Sequence, residues 1–395
     1  MLFRRSIVRI FAHLSVIIFL CLSACGGGSS GNNPEDPAAK SVYVAGNIMG
    51  MDLNRSIGGY WKDGVWNELP NPAGDTGYTR VTGLAVDGSD VYVVGGILDA
   101  KGGWGSAGYW KNGKWMEFLN TYGDYEVSAA AVVFNDGKVY AAGRCTNGEY
   151  DIAGYWVSDG SSSNWIELGT NDNATSSYST DIAVSNGKAY VIGQYTTGGS
   201  DTVGYWTYDL SKPLAKPSWV ELPNSVEPTS WIEAKSILIS DGNVYVGGRC
   251  RNGSNRVAGF WISDGSRITW QGLTDTSAGE YDERVESITL LDGKICAAGR
   301  SFNSAGGYFI AGYWKYDGSA LKWNGLANPL NSTQSNEVSS IAVNDGDVYL
   351  AASPYKEGKA SQYAGYYKNR TWTQLETDYD ATVYPYSTTV QIVVK

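Results

Sequence analysis

Three arginines recur at one repeat position: Arg144, Arg249 and Arg300 each follow the Gly that ends a short apolar strand. A guanidinium presents a planar fork of donors that suits an acidic or hydroxyl-rich partner. A second set, Arg80, Ser128, Tyr178, Glu233, Arg284, Glu337 and Tyr386, stands just before the small, apolar strand of each repeat. If both sets meet at one opening, the arginines supply donors there, and Tyr178, Trp231 and Tyr386 supply stacking surface. Mixed charge and aromatic groups around a concave mouth suit a polar ligand or a protein segment. The plainer alternative is a solvated rim of local ion pairs. Glu283, Glu286 and Glu337 fall in adjacent repeats near the same opening, and two carboxylates suffice for glycoside chemistry. Acidic groups also gather at such openings without catalysing anything.

Absences narrow the chemistry further. The one histidine, His13, lies in an N-terminal apolar segment. The rest of the chain therefore holds no Ser-His-Asp or Cys-His pair and no His-ligated zinc, copper or iron. No phosphate-binding or dinucleotide fingerprint stands in a strand-to-helix context. Asp87-Gly88-Ser89-Asp90 and Asn344-Asp345-Gly346-Asp347 have calcium-like composition but fall where tight hairpins belong. Cys145, Cys250 and Cys296 are odd in number and widely spaced, which predicts free thiols. The expectation is a binding scaffold with no cofactor and no metal, not an enzyme. A carboxylate-dependent carbohydrate-active enzyme and a structural spacer are the alternatives.

The elements that would position these residues repeat seven times. Gly-Tyr-Trp or a close variant ends in Trp61, Trp110, Trp156, Trp206, Trp261, Trp314 and Tyr367, at spacings of 49, 46, 50, 55, 53 and 53 residues. Each unit reads as four short strands, a to d, separated by turns such as Asn135-Asp136-Gly137-Lys138. A four-stranded unit at this period predicts an all-β, seven-bladed propeller. Gly83, Ala131, Asp181, Ser236, Ser287 and Ser340 are small or short at one strand-a position, as a crowded central channel requires. Thirteen of the fifteen Trp belong to strands c and d, which predicts an apolar layer between blades. The first unit opens on a strand b, Val42–Gly46, and the chain ends on a strand a, Thr388–Val394. The last strand should therefore complete blade one and close the ring over residues 41–395.

Val91-Tyr92-Val93-Val94-Gly95-Gly96, followed by Tyr109 and Trp115, resembles a kelch repeat. The whole set is similar to bacterial lipoproteins that carry Tyr-Trp-Lys-Asn-Gly repeats. Arg4, Arg5 and Arg9 precede an apolar run that ends at Leu22-Ser23-Ala24-Cys25, which reads as a signal peptide over residues 1–24. Its end resembles a lipobox, and that resemblance implies acylation of Cys25. Residues 25–40 then form a Gly- and Ser-rich tether. Without residues 1–24 the formal charge moves from −10 to −13, which argues against nucleic acid. The expected place is a bacterial cell envelope, at the outer membrane or cell surface. The protein is expected there as a monomer that binds a protein or a glycan.

Overall fold

The computed structural model describes residues 40–395, apart from 51–54, 75–76, 100–103, 171–172, 213, 229, 274–281, 304–305, 331–332, 357–360 and 381–382. The signal segment, Cys25 and nearly all of the tether lie outside the described residues. The described chain forms seven antiparallel sheets of four strands each. Blade five shows the plan: strand a is Ile232–Ser240, b is Asn243–Asn252, c is Asn255–Ser263 and d is Ile268–Gly272. Each strand a touches the strand a of the next blade until the circle closes. Blade one departs from chain order. Its strand a is Tyr386–Val394, paired with Val42–Met49 so that Val42 faces Val394. Closure leaves the inner strands with no open seam.

The repeated aromatic motif has a packing cause. Trp61, Trp110, Trp156, Trp206, Trp261 and Trp314 of strands c are each at most 1% exposed. Several latch their blade to the one before it through the indole N–H. Trp110 donates to the Pro70 carbonyl at 2.9 Å, Trp206 to Gly169 at 2.7 Å and Trp261 to Pro223 at 2.8 Å. Trp61 does the same across the seam, to Glu376 at 2.8 Å. The strand-d Trp lies over the motif's Gly: a Cβ on Gly259 would overlap the Trp270 ring. The expected apolar layer between blades is these rings.

One regular feature was not expected. Every strand a carries an extra residue opposite strand b, so each inner strand has a β-bulge. The bulge brings the strand-a carbonyl so close to strand b that only Gly fits in most blades. A Cβ on Gly248 would overlap the Glu233 carbonyl. The seventh member of the small-residue position is Gln391, which is not small. Its Oε1 accepts the Leu84 amide of blade two at 2.7 Å. Asp181 accepts the Ile237 amide of blade five at 2.9 Å, and Ser236 accepts the Ile288 amide of blade six at 3.3 Å. These inner side chains stitch neighbouring blades together.

Candidate functional site at the ring mouth

The connections from strand d to the next strand a are held by a repeated asparagine. Asn120 donates to the Thr146 carbonyl at 3.0 Å, Asn224 to Arg251 at 3.3 Å and Asn328 to Tyr355 at 3.0 Å. Each carboxamide oxygen also accepts an amide two residues on, closing an Asx turn. This staple fixes the loops that deliver strand a to the mouth. Its signal, an Asn two residues after the strand-d Leu or Phe, is visible in the sequence but escaped the reading above.

Cross-strand register then decides which charges meet. Arg249 stands directly opposite Glu233, and the two pair at 2.5 Å. Arg249 also holds Asp282 at 3.0 Å, which in turn binds Arg256 at 2.7 Å. Arg300 stands opposite Arg284, and like charges so placed repel. Each therefore turns to its own carboxylate, Arg300 to Glu337 of blade seven at 2.5 Å and Arg284 to Glu286. Arg144 lies apart on blade three, paired with Glu126 at 3.1 Å and Asp151 at 3.3 Å. The three repeated arginines thus sit at the mouth without touching one another, each engaged by a carboxylate.

The bulge places two further charged groups in this cluster. Among the seven bulge residues, Thr82, Ala130, Thr180, Lys235, Glu286, Ser339 and Val390, the only two with charge lie on adjacent blades five and six. A bulge re-aims a side chain, and here it sets Lys235 beside Glu233 at 2.7 Å. Glu286 lines a cavity of about 240 Å³ with Arg284, Glu337, Ser353 and Gln362. Burial raises the Glu286 carboxyl above its ordinary value, although Arg284 and Lys235 oppose the rise. Burial pushes Glu233 the same way, but Lys235, Arg249 and Arg284 outweigh it and hold that carboxyl low. Two acids that share the same cations are therefore driven in opposite directions.

The remaining expected residues divide. Trp231 is 37% exposed and carries Arg249 over its ring at 5.1 Å. Tyr178 is half-buried, and burial raises its hydroxyl pKa, with Asp201 and Glu233 adding to the rise. Arg80 lies on blade two with its guanidinium 3.9 Å from the Met49 sulfur. Tyr386 is two residues out of the expected alignment. It faces Met49, whereas Thr388, facing Asn47, is the counterpart of Glu233. Tyr386 instead matches the place of Trp231. Glu283 is fully enclosed and accepts the Ser301 hydroxyl at 3.0 Å, so it does not join the mouth acids. Lys235 is the mouth residue that the sequence reading missed.

Compared with known family profiles and with curated proteins, the chain matches none. Solved structures share its architecture. An ulvan lyase, a polysaccharide lyase, superposes at a TM-score of 0.55 with 11% identity, covering 85% of this chain and 91% of that one. An ulvan lyase bound to -[GlcA(1-4)Rha3S]- gives 0.56 with the same identity and coverage. A post-proline cleaving enzyme from Rickettsia typhi gives 0.50 with 7% identity, over 86% of this chain and 53% of that one. At such identities the likeness is one of fold.

The likeness corrects the expectation of a non-catalytic scaffold without enzymatic activity. The neighbours named above are enzymes, and the ulvan lyase is covered over nearly its whole length. The physical error lay in the weight given to histidine. Its absence removes triads and imidazole-bound metals, but acid and base chemistry needs only two groups with separated pKa values. The mouth holds such a pair.

Proposed function

We propose that the protein is a carbohydrate-active enzyme that cleaves a polysaccharide at the mouth beside blades five to seven. The observation that carries this is the opposite displacement of Glu286 and Glu233 around shared cations. Glu286, whose carboxyl burial raises above its ordinary value, gives its proton to the glycosidic oxygen as the C–O bond breaks. Glu233, held ionised, takes a proton from the water that attacks the anomeric carbon. Lys235, Arg249 and Arg284 hold Glu233 ionised, while at Glu286 burial prevails over the opposing pull of Arg284 and Lys235. The ulvan lyase likeness supports the substrate class.

A second reading has its own support. Arg249, Arg284 and Arg300 at one mouth suit a uronate carboxylate, which elimination chemistry must neutralise. That route consumes no water and leaves an unsaturated uronate. Incubation with ulvan and with arabinan separates the two, because hydrolysis yields reducing ends alone and elimination adds ultraviolet absorption. Glu286→Gln should lower the hydrolytic rate about 10²–10⁴-fold, the usual worth of a positioned acid. Full activity in that variant would remove Glu286 from the role of acid.

The proposal extends to where the enzyme sits. Kelch-like repeats on an acylated Cys25 would hold it on a tether at a bacterial envelope surface. Cys25→Ser should abolish labelling by a fatty-acid analogue. Equal labelling of both proteins would sink the anchor.

A further inference from the structure

We infer that the substrate is a linear polymer lying across the mouth in two grooves that flank the acids, so that cleavage is internal; this rests on the carbohydrate reading above. The first groove, about 640 Å³, lies between the start of strand c in blade four, the end of its strand d, and the connection carrying Trp231. The second, about 390 Å³, occupies the same place in blade six, beside Tyr308, Phe309, Trp323 and Asn328. Asn224 and Asn328, the repeated staples, mark the correspondence. Blade five stands between these two blades, and its Glu233 and the Glu286 of blade six lie at the mouth.

Each groove is joined to the mouth by one arginine. Arg249 covers Trp231 and holds Glu233, while Arg300 covers Phe309 at 3.9 Å and holds Glu337. An aromatic face with polar groups at its edge is the surface a sugar ring requires: C–H bonds stack while hydroxyls find partners. Asn336 adds an independent sign. It lines the second groove, is 1% exposed, and commits its Nδ2 to the Tyr367 hydroxyl at 2.9 Å. Its Oδ1 has no hydrogen-bond partner among the described residues. A buried acceptor left unpaired is costly, and a ligand hydroxyl would satisfy it. The cavity beside Glu286 is smaller than either groove, so most of the binding surface lies to its sides.

The test uses Glu286→Gln protein and oligosaccharides of graded length prepared from ulvan and arabinan, with binding read by calorimetry. Affinity should rise at least about tenfold with length before it levels off. Trp231→Ala and Tyr308→Ala, in separate grooves, should each remove several-fold of that gain and leave the shortest ligands unaffected. Wild-type enzyme should release mid-sized fragments first, with an early fall in viscosity. Length-independent binding, or release of single sugars from the outset, would overturn the two-groove arrangement while cleavage itself stands. No binding and no cleavage of either polymer would remove the carbohydrate reading and this inference together.

Discussion

Asp181 sits on the inner strand of blade four, where its Oδ2 accepts the Ile237 amide of blade five at 2.9 Å and its Oδ1 the amide of Ile182. Burial raises its carboxyl to about 6, against the pull of those amides. In the unfolded chain an Asp titrates near ~3.9. Between those values the folded state binds more protons than the unfolded one, so stability falls as pH rises through about 6. Asp181→Asn removes this dependence while imposing a roughly pH-independent cost for the changed acceptor. The stability difference between variant and wild type should therefore move toward the variant from pH 4 to pH 7. The movement is at most about 3 kcal/mol, the worth of a shift of about two units. Parallel curves over that range would show that Asp181 titrates normally. The thiols of Cys145, Cys250 and Cys296 follow the same logic: burial pushes each up to about 12, which makes them packing groups, free as expected.

At the level of strands, each blade depends on a strand-d Trp over the strand-c Gly, and six of the seven also on a strand-a carbonyl over the strand-b Gly, blade seven having Ala352 there. Gly259→Ala forces a methyl into the Trp270 ring, which is itself 4.5 Å from Trp261. Overpacking of this kind costs about 1–3 kcal/mol. Gly169→Ala, at a glycine outside the left-handed region with nothing within 4 Å of a Cβ, is the control for backbone effects. A lower denaturant midpoint for Gly259→Ala with no change in slope is the expected result. An unchanged midpoint would mean that Trp270 is free to move aside.

These approaches also explain what the sequence discloses. The Gly-Tyr-Trp motif was legible because seven copies repeat it, and it sets blade number, Trp layer and closure. The bulge was not legible: one extra residue in a strand of mixed small residues leaves no break in an apolar pattern. It hid Lys235, while Glu286 was seen only as one acid among three; Tyr386 fell out of alignment because the strand-b Gly that sets its register does not follow it in the chain. Arg249, Arg300, Glu233 and Glu337 were found because register follows from the strand-b Gly. Their partners were not, since ion pairing depends on which charge stands across the strand and in the next blade.

The ring as a whole has one seam, and Tyr386–Val394 closes it. Ile392 and Val394 are buried against Val44 and Trp61, next to Leu375 of blade seven. Gln391 reaches the Leu84 amide of blade two, and the Thr389 amide donates to the Ser353 hydroxyl of blade seven at 2.9 Å. One strand thus touches both neighbouring blades as well as its own. Deleting Thr388 to Lys395 removes the burial of two aliphatic side chains, each worth about 1.5–3 kcal/mol, together with the hydrogen bonds to strand b. It also bares the Val42–Met49 edge, a template for pairing with another chain. Against a usual total of about 5–15 kcal/mol, the loss is large enough to lower the unfolding midpoint sharply and to promote association. Gln391→Ala should lower it by a smaller step, because it breaks one contact across the seam and leaves blade one complete. Equal midpoints for the truncated and full chains would mean that blade one holds its place without its inner strand, and closure would then have to come from its remaining contacts with blade seven, the Trp61–Glu376 latch, the Tyr379–Glu68 hydrogen bond and the packing of Val44 and Trp61 among them.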